Sequence, residues 1–217
     1  MAMAREGRAE TNARWRRRKA ARPAEIAVAA LACFAERGFA ASSLDEIAAR
    51  AGITKGTLYL YFKNKEELLK EVVQQALLPR IALFEKQAIA GDSATHQLEQ
   101  FVATWRATIA TPYLGVIPKL IIAESGNFPD LCRFYLDAVI GRARRLIVSI
   151  LRRGMRRGEF RRMDANAAFF SVVAPLLIAM IWQQTFERHD KRPLDVEALC
   201  RTHLAILKHG LARDGDA

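Results

Sequence analysis

Cysteine is scarce: Cys33, Cys132 and Cys200 are odd in number, widely spaced and without a Cys-x-x-Cys pair in 217 residues. That excludes a disulfide-framed fold and a thiolate metal cluster, and leaves thiols acting as small apolar groups in a reducing compartment. The only histidines are His96, His189, His203 and His209, and they form no metal spacing. A Ser/His/Asp arrangement, a P-loop and a glycine-rich dinucleotide loop are also missing, so no catalytic residue, metal or cofactor is expected and an enzyme has no anchor here. Few segments alternate apolar and polar residues, which removes a sheet from consideration. Acidic charge is in short supply as well. Asp and Glu number 23 against 34 Lys and Arg, and the net +11 points to polyanions, either nucleic acid or an anionic membrane face.

Much of that excess is concentrated at the start. Arg5, Arg8, Arg14, Arg16, Arg17, Arg18, Lys19 and Arg22 face only Glu6 and Glu10, a net +6 within residues 1–22. Two readings fit: a solvated flexible tail, or an arm whose Arg16, Arg17 and Arg18 lie along a phosphate backbone or enter a minor groove. The stretch "RWRRRKAARPAEIAVAALACFA" also has the outline of an export signal. Glu25 interrupts its apolar run and no small-x-small cleavage site follows, so a cytoplasmic chain that keeps this segment is expected.

What is abundant is helical periodicity, and the fold class it indicates is all-α. Pro23 suits the first turn of a helix whose stripe is Ile26, Ala29, Ala30, Cys33 and Phe34, ended by Gly38. "SLDE", residues 43–46, has the capping-box form and opens a short helix that Gly52 can close in the left-handed conformation. Thr54 then caps a third helix through about Phe62, and Asn64 caps a fourth. Two short helices around a glycine turn outline a helix-turn-helix, whose second helix enters the major groove. "ITKGTLYLYFKNKEEL" supplies the parts. Lys55 can donate to guanine or phosphate, Gly56 lets backbone approach closely, and Thr57 and Tyr59 offer hydroxyls and apolar surface to base edges. Tyr61 and Lys65 suit phosphates, while Leu58 and Phe62 face inward. Taken singly, Tyr59 and Tyr61 also read as half-buried aromatics of an amphipathic helix.

The run "ALACFAERGFAASSLDEIAARAGITKGTLYLYFKNKEELL", residues 30–69, resembles the DNA-binding domain of the tetracycline-repressor (TetR) family of bacterial transcription regulators. The resemblance covers residues 24–72. It implies that Ser43, Lys55, Gly56, Thr57, Tyr59, Tyr61 and Lys65, with the N-cap Thr54, face DNA. The chain departs from the family at Leu60, where many members carry an aromatic, and at Tyr61, where many carry histidine. Further on, "IIAESGNFPDLCRFY" and "LRRGMRRGEFR" resemble the effector-binding and dimerisation domains of some members. The implied organisation is a basic arm over 1–22, a three-helix helix-turn-helix domain over 23–70, and a larger helical domain over 71–217. The implied partners are a double-stranded operator of pseudo-palindromic sequence, a small-molecule effector and a second subunit held through the last two long helices.

The periodicity and the Gly and Pro punctuation predict later helices near 94–110, 113–124, 128–157, 165–187 and 195–211. Residues 165–186 carry no charge and are long enough to span a bilayer. Pro175, Asn166, Gln183 and Gln184 speak against that, and burial in a core on one side and against a subunit on the other explains the same composition, so no membrane partner is expected. Phe101, Trp105, Tyr113, Phe128, Phe134, Tyr135, Phe169, Phe170 and Trp182 are candidates to line a ligand cavity, and Glu124 to orient a ligand amine or hydroxyl. The arginines from Arg142 to Arg157 read either as a solvated face or as a surface for an anionic effector or DNA. A basic scaffold binding all DNA alike is the rival to a sequence reader.

Overall fold

The computed structural model describes the backbone of residues 2–90, 93–111 and 113–213, and their side chains apart from 2–21, 87, 89 and 90. The chain divides into two compact units, Met1–Gln75 and Ala76–Ala217, and among the described residues every regular element is helical.

The first unit holds α1 (Ala2–Ala41), α2 (Leu44–Arg50), α3 (Lys55–Tyr59) and α4 (Lys65–Ala76). Where the sequence suggests that Pro23 opens a helix, α1 runs upstream of it, and the break comes at Gly38, φ 81°. The side chains of Arg16, Arg17 and Arg18 lie outside the described residues. Ile26, Ala30 and Phe34 of α1, Ile47 and Ala48 of α2, Leu58 of α3, and Leu68, Leu69 and Val72 of α4 are all essentially inaccessible and supply this unit's core. The stripe spaced by three and four is what makes this possible, and each large side chain so buried contributes about 1.5–3 kcal/mol before entropy is charged against it.

Local chemistry fixes the two turns. The Glu46 amide donates to Ser43 Oγ and the Ser43 amide to Glu46 Oε2, both at 3.2 Å, so the capping box starts α2. Gly52, φ 65°, ends it: the Gly52 amide donates to the Ala49 carbonyl (3.1 Å) and the Ile53 amide to that of Ala48 (3.0 Å). This paired closure needs the left-handed conformation, which costs a β-carbon residue about 1–2 kcal/mol. Helix α3 stops at Tyr59, short of the expected Phe62, because the Tyr61 and Phe62 amides both turn back to the Leu58 carbonyl, at 2.9 and 3.0 Å.

The second unit holds α5 (Leu78–Ala90), α6 (Ala94–Ile109), α7 (Val116–Glu124), α8 (Pro129–Tyr135), a π-helical turn (Leu136–Ile140), α9 (Gly141–Arg157), α10 (Ala165–Thr185) and α11 (Val196–Leu211). The long helix expected over 128–157 is thus α8, the π turn and α9 in succession. The helix expected from 113 begins at Val116, since Tyr113 is left-handed (φ 66°). Gly115 lies against α10, where a β-carbon would stand 2.7 Å from the Met180 carbonyl oxygen.

Leu98, Phe101, Ile147, Leu151, Phe169, Val172, Leu176, Cys200 and Leu207 form the heart of this unit's core. Polar pairs lock the helices at its edge. Arg142 binds Glu85 through two nitrogens (3.1 and 2.5 Å), joining α9 to α5. His203 Nε2 donates to the Val172 carbonyl at 2.9 Å, joining α11 to α10, and Lys208 pairs with Glu99 at 2.9 Å, joining α11 to α6. Buried Gln97 donates to the Ala88 carbonyl and accepts from Arg153. By length and composition α10 could cross a membrane. Its Phe169, Val172, Leu176 and Met180 are nevertheless buried in the unit's core, while Phe170, Ile178 and Trp182 stay exposed.

Candidate functional site

The surface of α2 and α3 shows which groups the fold consumes and which it leaves unspent. Ser43 and Thr54 are exposed N-caps, each accepting an amide from the following turn, Glu46 at 3.2 Å and Thr57 at 3.1 Å. The Thr54 and Thr57 hydroxyls also bond each other at 2.9 Å. Lys55 reaches back to Asp45 of α2 at 2.9 Å, and its ammonium pKa is raised by that hydrogen bond. Both partners are more than half exposed, so the pair is a weak tie that an incoming phosphate or base edge can replace at little cost. Gly56 faces open space: a β-carbon there would meet only Thr54 Oγ1, at 3.9 Å. Nothing in the folded chain therefore requires a glycine at 56.

Tyr59 and Leu60 follow, 47% and 82% exposed, on the outer side of α3. Side chains so uncovered contribute little to the core. Tyr61 is half-buried, its ring tilted 6.5 Å from that of Phe62.

Lys65 departs from the expectation of a phosphate contact. Its ammonium donates to the carbonyls of Phe39 (2.8 Å), Ala40 (3.0 Å) and Ser42 (3.0 Å) and lies 4.9 Å from the centre of the Phe39 ring. All of its hydrogens are spent on the end of α1, so the fold uses Lys65 as a clamp. Two further ties were not read from the sequence. Arg50 grips Glu36, and Arg37 bonds Glu46, the capping-box carboxylate. Arg50 also holds the Glu36 carboxyl below its ordinary pKa. Arginines and acids nine and fourteen residues apart, on different helices, give no helical spacing that would pair them in advance.

The second unit holds a partly open cavity of about 360 Å³ among α5, α6, α7, α8, the π turn, α9 and α10. Phe101, Trp105, Tyr135 and Phe169 line it as the sequence suggested. Tyr113, Phe128, Phe134, Phe170, Trp182 and Glu124 do not. Phe134 and Phe170 sit one residue away from lining positions, which on a helix turns a side chain by about 100°. Tyr113 stands exposed in its turn, and Trp182 packs against Phe186 instead, the rings tilted at 55° with centres 4.9 Å apart. Glu124 accepts from Asn127 at 3.2 Å.

Most of the remaining wall is aliphatic, and reading for aromatics alone missed it. Cys132, Leu136, Val139, Ile140, Ala143 and Ile147 run at spacings of three and four through a segment whose arginines dominate the eye. Among the described residues, no group of His, Cys, Asp and Glu is placed to hold a metal ion.

Comparison with known proteins bears on both units. The sequence profile of bacterial regulatory proteins of the tetR family matches residues 26–72, and that of the AefR-like transcriptional repressor C-terminal domain matches residues 96–198. The chain is 27% identical over 197 residues to the HTH-type transcriptional repressor KstR2 of Mycolicibacterium smegmatis, covering 89% of this chain and 92% of that one. It is 26% identical over 194 residues to the fatty acid metabolism regulator protein of Bacillus subtilis, covering 86% and 94%. Among solved structures, FadR from Bacillus subtilis in complex with stearoyl-CoA superposes with a TM-score of 0.75 at 23% identity, covering 86% of this chain and 98% of that one. KstR2 of Mycobacterium tuberculosis gives 0.69 at 23%, covering 89% and 96%. The exposed, capped α2 and α3 lie within the first matched region and much of the cavity wall within the second, and the chain belongs to the TetR family of DNA-binding transcription regulators.

Proposed function

We propose that this protein is a cytoplasmic, homodimeric repressor that holds a pseudo-palindromic operator and releases it when a small molecule fills the cavity of the second unit. The observation that carries the reading is the unspent surface of α3: Leu60 and Tyr59 uncovered, Gly56 facing open space, and Lys55 tied only to an exposed carboxylate. In this reading residues 23–70 recognise DNA through Ser43, Thr54, Lys55, Gly56, Thr57, Tyr59 and Tyr61. Residues 71–217 bind the effector and the second subunit, and residues 1–22 add a basic arm.

The uncovered apolar faces of α10 (Phe170, Ile178, Trp182) and α11 (Ile206) suit pairing with the same helices of a second copy. Such a dimer presents two α3 helices to half-sites about 34–36 Å apart or a multiple of that. Release is then a population shift: a guest that fits better when the two reading helices are wrongly spaced weakens DNA binding by about 1–3 kcal/mol, or roughly 5–150-fold. KstR2 and BepR are described as repressors, and the FadR complex holds stearoyl-CoA, which is the kind of pairing proposed here.

Selection of bound duplexes from a random pool at near-physiological salt tests the DNA half. An enriched inverted repeat is expected. Retention without any shared sequence would leave charge alone as the source of binding and refute base reading by α3.

A further inference from the structure

The cavity wall says what kind of molecule fits it. At about 30 Å³ per molecule of liquid water, 360 Å³ is room for about a dozen waters, or an organic guest of roughly ten to twenty heavy atoms. No Asp or Glu contributes to the wall. The hydroxyls of Thr104, Thr108 and Ser125 donate to carbonyls of their own helices at 2.9, 2.8 and 3.1 Å, so their hydrogens are already used.

Besides the Trp105 indole N–H and the Cys132 thiol, two stronger donors are left. The Tyr135 phenol has no hydrogen-bond partner among the described residues, and burial pushes its pKa further up, so it stays a donor. Half-buried Arg80 spends one guanidinium nitrogen on the Ala76 carbonyl, at 2.6 Å, and has no carboxylate partner among the described residues. Both groups are only half-buried, so solvent can serve them while the cavity is empty, and a guest that displaces that solvent must replace its contacts. One kind of guest replaces both.

We infer that the cavity takes a compact amphiphilic anion: an apolar body of medium length ending in one carboxylate-like group that accepts from Arg80 and Tyr135. The inference rests on the cavity being an effector site. An aromatic-caged cation is the contrary case, because Phe84, Phe101 and Trp105 present ring faces and edges that attract quaternary ammonium. The positive charge of Arg80 in the same wall opposes it.

Calorimetric titration of the full chain with sodium decanoate and decyltrimethylammonium below their micellar concentrations, and decan-1-ol below its solubility limit, separates the cases. Decanoate is expected to bind at least about tenfold more tightly than the cation. Arg80→Gln should weaken decanoate by about tenfold and leave decanol unchanged, and Tyr135→Phe should weaken both by about three- to tenfold. Thermal melts of the two variants check that they fold. Equal or tighter binding of the cation, undiminished decanoate binding by Arg80→Gln, or no binding of any probe overturns the inference. Adding decanoate to the protein bound to its selected duplex tests release separately: decanoate that binds without freeing DNA supports the ligand class and sinks release by effector.

Discussion

Lys65→Met gives a direct measure of what the clamp on α1 is worth. The substitution keeps the length of the side chain and removes the ammonium that serves the carbonyls of Phe39, Ala40 and Ser42. Hydrogen bonds to a charged donor are worth about 1.5–3 kcal/mol each where water is excluded. These share one ammonium on a half-buried residue, and water can reach the exposed carbonyl of Ala40, so they do not add. Adding about 0.5–1 kcal/mol for the ammonium near the Phe39 ring, the net loss is about 2 kcal/mol. With a urea slope of about 2 kcal/mol/M, the unfolding midpoint should fall by about 1 M at matched protein concentration and unchanged slope. Far-UV circular dichroism across the urea series reads this, and DNA affinity against salt is measured on the same samples. A midpoint within about 0.2 M of the parent, together with a salt slope reduced by about one, would place Lys65 on a phosphate and refute the clamp.

Gly56→Ala should leave stability unchanged or raise it by about 0.5–1 kcal/mol, because the new carbon meets nothing nearer than 3.9 Å, yet it should weaken binding to the selected operator; thermal melts and titrations on DNA read the two effects apart. Gly154→Ala should cost about 1–3 kcal/mol or more, since its β-carbon would fall 2.1 Å from the Phe160 ring, and a melt matching the parent would contradict the packing of α9. Glu85 is held below its ordinary carboxyl value of 4.5 by the Arg142 hydrogen bonds. Its contribution to stability is therefore present above that value and is lost as the pH falls through the lower folded one. Arg142→Met should flatten this part of the acid limb in melts taken downward from about pH 5, whereas parent and variant limbs that run parallel would contradict the coupling.

The parts of the first unit that are set by neighbours in sequence were legible in it. The box at Ser43 and Glu46, the left-handed Gly52 and the cap at Thr54 each act over three or four residues, so spacing alone reveals them. Lys65 was not legible in the same way, because its carbonyl partners stand more than twenty residues upstream and a backbone acceptor leaves no mark in a sequence. The cavity was half legible. Aromatic residues drew attention to Phe101, Trp105 and Tyr135, but which face of a helix looks inward depends on phase, and an aromatic such as Phe170 one position out of phase lands on the outside. Arg80 was invisible for the opposite reason: a charge next to an apolar stripe ordinarily points to water, and only the shape of the space beside it gives the charge another meaning.

The widened turn at Leu136–Ile140 has a consequence for how this part of the chain can change in length. Its last bond runs from the Gly141 amide to the Leu136 carbonyl, five residues back, so the turn stores one residue beyond what an α-helix would hold. Removing one residue from the turn lets it relax to ordinary α geometry with the helices on either side still in phase. The same deletion inside α9 would rotate everything before it by about 100° and carry Tyr135 off the cavity wall. The helix that forms one wall of the cavity thus has a site of slack, and it lies immediately next to Tyr135.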